Sequence, residues 1–247
     1  MVKKMAQQNK YIQTVCELTD EPNSHRAVAK YVARFRNQGQ SLESLAKALD
    51  IFSIIEEELA FDGGVFELGS KLIIKINSGS HPTRRRFTLA HELGHLIISS
   101  KEAKSARRCL TSNPLEAACD AVAAELLMPF DEVVGSLDKD ASIDSFLAFV
   151  NHFNVSLHAA AVRIKELKIW KESIGFWKLN PSLDELWLVG KRDWNNKAVR
   201  VSLFEDGFAS ANFVQAELMY GDARGIHPIY VQTRKLGKNY VLALVRV

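Results

Sequence analysis

The feature that most constrains this chain is a five-residue run, His91-Glu92-Leu93-Gly94-His95. Residues four apart on a helix sit one above the other. If the run is helical, both imidazoles therefore face the same way and can grip one divalent metal ion. Glu92 then lies one step round the helix, where a carboxylate can exchange protons with a water. The flanks agree with a helix. Residues 86–99 are strongly apolar, and the reading is an active helix over that span, preceded by a polar loop from Asn77 to Thr83.

A metal held by protein on three sides needs a third ligand. An extended motif with a third histidine would require glycine at 98 and histidine at 101. The chain has Ile98 and Lys101, which excludes that class. Beyond a charged loop, the segment 115–128 reads as a second helix with Glu116 and Asp120 again four apart. Glu116 can close the ligand set. Asp120 can accept a hydrogen bond from the far ring nitrogen of a ligand histidine, fixing its tautomer. Ala117, Ala118, Ala121, Ala123 and Ala124 give this helix a small-residue surface that admits a close neighbour. Gly94 does the same on the first helix, at a propensity cost of about 1 kcal/mol. Cys119 is an alternative thiolate ligand, but its place beside the Glu116–Asp120 line reads as core. Cys109 falls in the charged loop.

These two motifs together resemble the ImmA/IrrE metallopeptidases. The resemblance rests on Arg84-Arg85-Arg86-Phe87-Thr88-Leu89-Ala90 running into His91–His95. It continues in Glu116-Ala117-Ala118-Cys119-Asp120, through Ala123 to Pro129. It extends over about residues 40–170. It implies a zincin-like core, with His91, His95 and Glu116 as zinc ligands and Glu92 as the base. It also implies a protein substrate, typically a helix-turn-helix transcriptional repressor cut after stress.

The remainder of the chain sets the frame. Composition is ordinary for a globular protein, 47% hydrophobic and 25% charged. The net charge of +3 lacks the concentrated basic face of a nucleic-acid binder. Three scattered cysteines form no disulfide framework and fit a reducing cytoplasm. The first residues, MVKKMAQQNKYIQTV, lack the apolar stretch of a signal peptide, and no run is long enough to span a membrane.

Periodicity predicts helices at 25–37 and at 42–49, the second capped by Ser41. A strand follows from Ile51 to Ile55, then a hairpin of Val65–Leu68 and Leu72–Ile76. The strand at 72–76 reads either as an edge beside which a substrate strand adds or as an interior strand of the sheet. Helices at 141–152 and 156–168 carry His158, Arg163, Lys165 and Lys168. This pair reads either as two packed helices or as a helix-turn-helix, and the latter supports an alternative DNA-binding regulator with a structural or vestigial metal site. Strands are expected at 174–177, 186–189, 199–204, 229–232 and 240–247.

The resulting expectation is an α+β protein in three parts: an N-terminal helical segment (1–40), a metallopeptidase domain with helical extension (41–170), and a β-rich C-terminal domain (171–247). His152, His158, Tyr220, His227 and Tyr230 are all candidates to steady an oxyanion, and the sequence does not choose among them. Arg84-Arg85-Arg86 reads as solvated or acid-paired, with substrate contact the alternative.

Overall fold

The computed structural model describes residues 24–37, 39–99, 112–138, 140–178, 186–189, 214–222, 225–236 and 240–246. Cys16, Cys109 and the strand expected at 199–204 lie outside them. The described chain is a mixed α+β protein. It divides into two compact units, one running to Gly135 and taking in Phe153–Ser156, the other comprising Ser136–His152 and the chain from Leu157 onward.

The first unit opens with helix α1 (Ser24–Val32) and helix α2 (Leu42–Ala48). Helix α1 is shorter than its apolar period suggests. Val28 and Val32 are buried, but the chain turns after Val32, so Phe35 leaves the helix. Ser41 caps α2 as expected, its side chain accepting from the Ser44 N–H. Three strands follow: β1 (Ile51–Glu57), β2 (Gly63–Leu68) and β3 (Lys71–Asn77). The β2–β3 hairpin turns at Gly69, whose φ of 62° is the left-handed conformation that favours glycine.

The strand order is β1-β3-β2, with β3 parallel to β1 and antiparallel to β2. Of the two readings of Leu72–Ile76, this rules out the edge and bears out the interior strand. That strand is the centre of its sheet, and Ile73, Ile74 and Ile76 are all buried, as a strand hydrogen-bonded on both sides requires. The open edges among the described residues are β1 and β2.

Helix α3 (Pro82–Ser99) packs beneath this sheet. It begins four residues before the expected start, because Pro82 is its first residue rather than part of a loop. Proline suits that position, since the first helical N–H has no partner to lose. At Gly63 the sheet lies so close to α3 that an added Cβ would fall 2.6 Å from Thr88 Cγ2. Helix α4 (Ser112–Leu127) lies across α3, and helix α5 (Phe130–Ser136) follows, the Glu125 carboxylate accepting from its Phe130 N–H. Leu93, Ile97, Val122 and Leu126 are essentially dry. Each contributes about 1.5–3 kcal/mol of hydrophobic stabilisation.

The second unit contains helices α6 (Ile143–Phe153) and α7 (Leu157–Glu166) and a five-stranded antiparallel sheet. Its strands are β4 (Ser173–Lys178), β5 (Leu186–Val189), β6 (Val214–Asp222), β7 (Gly225–Leu236) and β8 (Tyr240–Arg246), in the order β5-β4-β8-β7-β6. Strand β6 was not anticipated, although Val214, Ala216, Leu218 and Tyr220 do alternate with Gln215 and Glu217. Arg163 of α7 is 2% exposed, so this side chain is part of the packing and does not present itself to DNA; His158, Lys165 and Lys168 are exposed.

Candidate metal centre

The site is made where α3 and α4 cross. Leu89, Ala90, Leu93, Ile97 and Ile98 bury one side of α3 and turn its other side toward α4. Gly94 sets the separation. A Cβ at this position would stand 3.1 Å from the Cys119 carbonyl oxygen and 3.3 Å from its Cα. With only a hydrogen there, the two backbones touch, and Cys119 itself is fully buried. Glu116, one turn before Cys119, is thereby carried over the histidines.

The donor atoms converge. His91 Nε2 lies 3.1 Å from His95 Nε2 and 3.1 Å from Glu116 Oε2, and Glu116 Oε1 lies 3.6 Å from His95 Nε2. Ligand bonds of about 2.0–2.1 Å in a tetrahedron separate neighbouring donors by about 3.3 Å. The triangle is therefore the right size for a small divalent ion with one corner left open. Two imidazoles with one carboxylate suit a borderline ion better than magnesium or calcium, which prefer oxygen throughout. The Glu92 carboxylate also approaches the ring nitrogens of His91 and His95, all three within 4.8 Å of one another. Glu92 is 9% exposed, whereas Glu116 and Asp120 are about half exposed.

Asp120 completes the arrangement from behind. Its Oδ1 is 2.8 Å from His91 Nδ1, so Nδ1–H donates to the carboxylate and Nε2 faces the donor cluster. Burial works against a charge on His91, but the Asp120 hydrogen bond and charge, followed by those of Glu92 and Glu116, outweigh it. The imidazole consequently holds its proton above the ordinary histidine range. The structure thus brings His91, Glu92, His95, Glu116 and Asp120 into one cluster. His152, His158, Tyr220, His227 and Tyr230 all belong to the second unit, and the first unit assembles the donor set without them.

The three arginines at the head of α3 are paired. Arg84 bonds Asp62, Arg85 bonds Glu56, and Arg86 donates to the carbonyls of Phe153 and Asn154. Asp62 went unnoticed in the sequence. It lies 22 residues before its partner, and no local pattern marks it.

Comparison with known proteins agrees with the site. Residues 49–165 match the peptidase family described as the IrrE N-terminal-like domain. Over 119 residues the chain is 30% identical to the radiation response metalloprotease IrrE of Deinococcus radiodurans, an alignment covering 45% of this chain and 35% of that one. The chain thus spans about a third of the length of this curated relative. Among solved structures, a Mycobacterium tuberculosis transcriptional regulator shares the fold, with a TM-score of 0.55 at 13% identity, over 95% of this chain and 80% of that one. Residues 49–165, which carry both candidate-site helices, are thus similar to the IrrE N-terminal-like peptidase domain.

Proposed function

We propose that the chain is a zinc-dependent endopeptidase with a zincin-like core, and that its substrate is a specific protein of the helix-turn-helix repressor class. One observation carries the peptidase reading: three donors from two helices meet at metal-ligand spacing, with the Glu92 carboxylate beside them. The similarity of residues 49–165 to the IrrE N-terminal-like domain supports it, and the repressor as substrate rests on that resemblance alone. In this reading His91, His95 and Glu116 hold zinc and Asp120 orients His91. When bound, zinc supplies Lewis acidity, polarising the scissile carbonyl and making a water more acidic. Glu92 takes a proton from the attacking water and passes it to the leaving amine. The peptide lies as an added strand along an open sheet edge. Of the two edges, β2 starts directly over α3, where Gly63 meets Thr88.

We place the protein in the reducing cytoplasm. The sparse cysteines support this, and no helix among the described residues is long and apolar enough to cross a membrane. We further propose the three-part organisation of residues 1–40, 41–170 and 171–247, with the β-rich region sensing the signal that activates the protease. The DNA-binding alternative is the weaker reading, because Arg163 is buried.

The test is metal analysis of the purified protein beside His91→Ala, followed by co-expression with a candidate repressor scored for cleavage. Stoichiometric zinc in the wild type, absent from the variant, is the expected result. A properly folded wild type that never holds a divalent metal would overturn the proposal.

A further inference from the structure

Arg84 and Asp62 form an ion pair of 2.5 Å in which both side chains are about half exposed. Such a pair contributes little to stability. Its cation also sits near the start of α3, where the helix dipole disfavours positive charge. The pair is nonetheless embedded in a chain of contacts that leads to the metal centre. The Arg84 guanidinium lies 5.6 Å from the Phe87 ring centroid, and the Phe87 ring lies 6.3 Å from that of His91. These residues stand at 84, 87 and 91, successive neighbours along one helix face. On the other side, Asp62 Oδ1 also meets Ser80 Oγ at 3.5 Å, so the β1–β2 connection and the approach to α3 are both tied to the same carboxylate.

We propose that Arg84, held by Asp62, is a positioning residue for the metal centre, acting on His91 through Phe87. This rests on the metallopeptidase reading and deepens it. The guanidinium keeps its proton above the usual arginine range, chiefly through the hydrogen bond it donates to Asp62, against the effect of burial. The charges of Asp62 and then Asp120 add to this. The Phe87 ring, covered by the same guanidinium, restricts the space into which the His91 ring can rotate. Arg84 thereby joins the β1–β2 connection to the orientation of a ligand it does not touch.

The experiment is a double-mutant cycle read by metal affinity rather than turnover. Apparent affinity for Zn2+ is measured by chelator competition in the full chain and in Arg84→Gln, Phe87→Leu and the double variant, with Arg84→Lys as the conservative control. The Co2+ form provides an absorption spectrum sensitive to ligand geometry. Because Arg84 is half exposed, its variants keep the fold, and thermal unfolding of the metal-free proteins verifies this.

Phe87→Leu is expected to weaken affinity severalfold. Arg84→Gln is expected to weaken it severalfold and Arg84→Lys less. The double variant should lose no more than Phe87→Leu alone, the non-additivity of residues acting through one another. Strictly additive losses, or an Arg84→Gln protein with wild-type affinity and Co2+ spectrum, would overturn the inference. The underlying reading fails differently, through a wild type that binds Zn2+ no better than His91→Ala does.

Discussion

Glu92 and Glu116 are both glutamates within a few ångströms of the same two imidazoles, and the proposed mechanism gives them different tasks. Glu116 places its two oxygens at 3.1 and 3.6 Å from His91 and His95, whereas Glu92 adjoins them from the same helix and is mostly buried. Substitution separates the two. Glu92→Gln keeps the shape and should retain fold and metal while losing about 10²–10⁴-fold in peptidase rate, the range for removing a general base. Glu116→Gln removes a charged ligand and should lower metal content itself. Measuring metal stoichiometry and cleavage in parallel distinguishes them. A Glu92→Gln protein that cleaves at near wild-type rate while holding metal removes Glu92 from the mechanism. Proton and metal also compete for His91. Burial opposes its charge, but Asp120 above all, with Glu92 and Glu116, raises its proton affinity above the ordinary value. In the metal-free protein this protonation contributes stability that is fully present below the unfolded histidine value and is lost as pH rises through the raised folded value. Metal binding needs the neutral ring. Apparent zinc affinity should therefore climb with pH through the raised value and level off above it. Asp120→Asn should move that midpoint to lower pH, and chelator competition across a pH series reads both effects.

At the scale of elements, the centre depends on two helices held at a fixed separation, and three devices hold them. Gly94 lets α3 and α4 touch at Cys119. From outside, the Tyr31 hydroxyl of α1 donates to the Ile97 carbonyl near the end of α3. Arg36, just past α1, donates to the Leu126 carbonyl near the end of α4 and to that of Gln40. Helix ends leave carbonyls without intrahelical partners, so these contacts satisfy groups that would otherwise seek water. The N-terminal helix thus belongs structurally to the metal-bearing unit. The sharpest test at this scale is Gly94→Ala. Helix propensity alone favours alanine by about 1 kcal/mol. The new methyl, however, meets backbone at 3.1 and 3.3 Å, which cannot rotate away. We expect a net loss of about 1–3 kcal/mol, typical of overpacking, together with weaker metal binding because Glu116 is pushed from the histidines. Denaturant unfolding and zinc titration measure the two. Unchanged stability and unchanged affinity would show that the helices tolerate separation.

Across the whole molecule, the family match at 49–165 does not coincide with a structural unit, because it runs through the first and into α6 and α7 of the second. The second unit is built jointly by helices and sheet. Ile143, Phe146, Ile164 and Trp170 are buried, as are Ile174, Leu242, Ala243 and Leu244 of β4 and β8, and Arg234 of β7 bonds Asp144 of α6. Removing residues 173–247 therefore strips apolar cover from α6 and α7. A 1–172 fragment should keep the donor residues but bind a hydrophobic dye and unfold at lower denaturant than the full chain. If it is monomeric, binds no dye and matches the full chain in stability, the sheet is dispensable to those helices.

Much of the centre was legible in the sequence because its information is local. The spacing of His91 and His95, and that of Glu116 and Asp120, places each pair on one helix face whatever surrounds it. Ser41 as a cap and Gly69 at the hairpin turn are equally local, as is the α+β character of the chain. What could not be read depends on residues distant in sequence. Leu72–Ile76 looks the same whether it lies at an edge or in the middle, and only pairing on both sides by β1 and β2 makes it central. The convergence of Glu116 on the histidines depends on how near α4 comes to α3, a distance set by contact between Gly94 and Cys119. Asp62 reached the head of the active helix only because β1 and β2 are joined above it. Helical periodicity determines which side chains share a face, but tertiary packing decides which faces meet, because that choice is made by burial summed over the whole core.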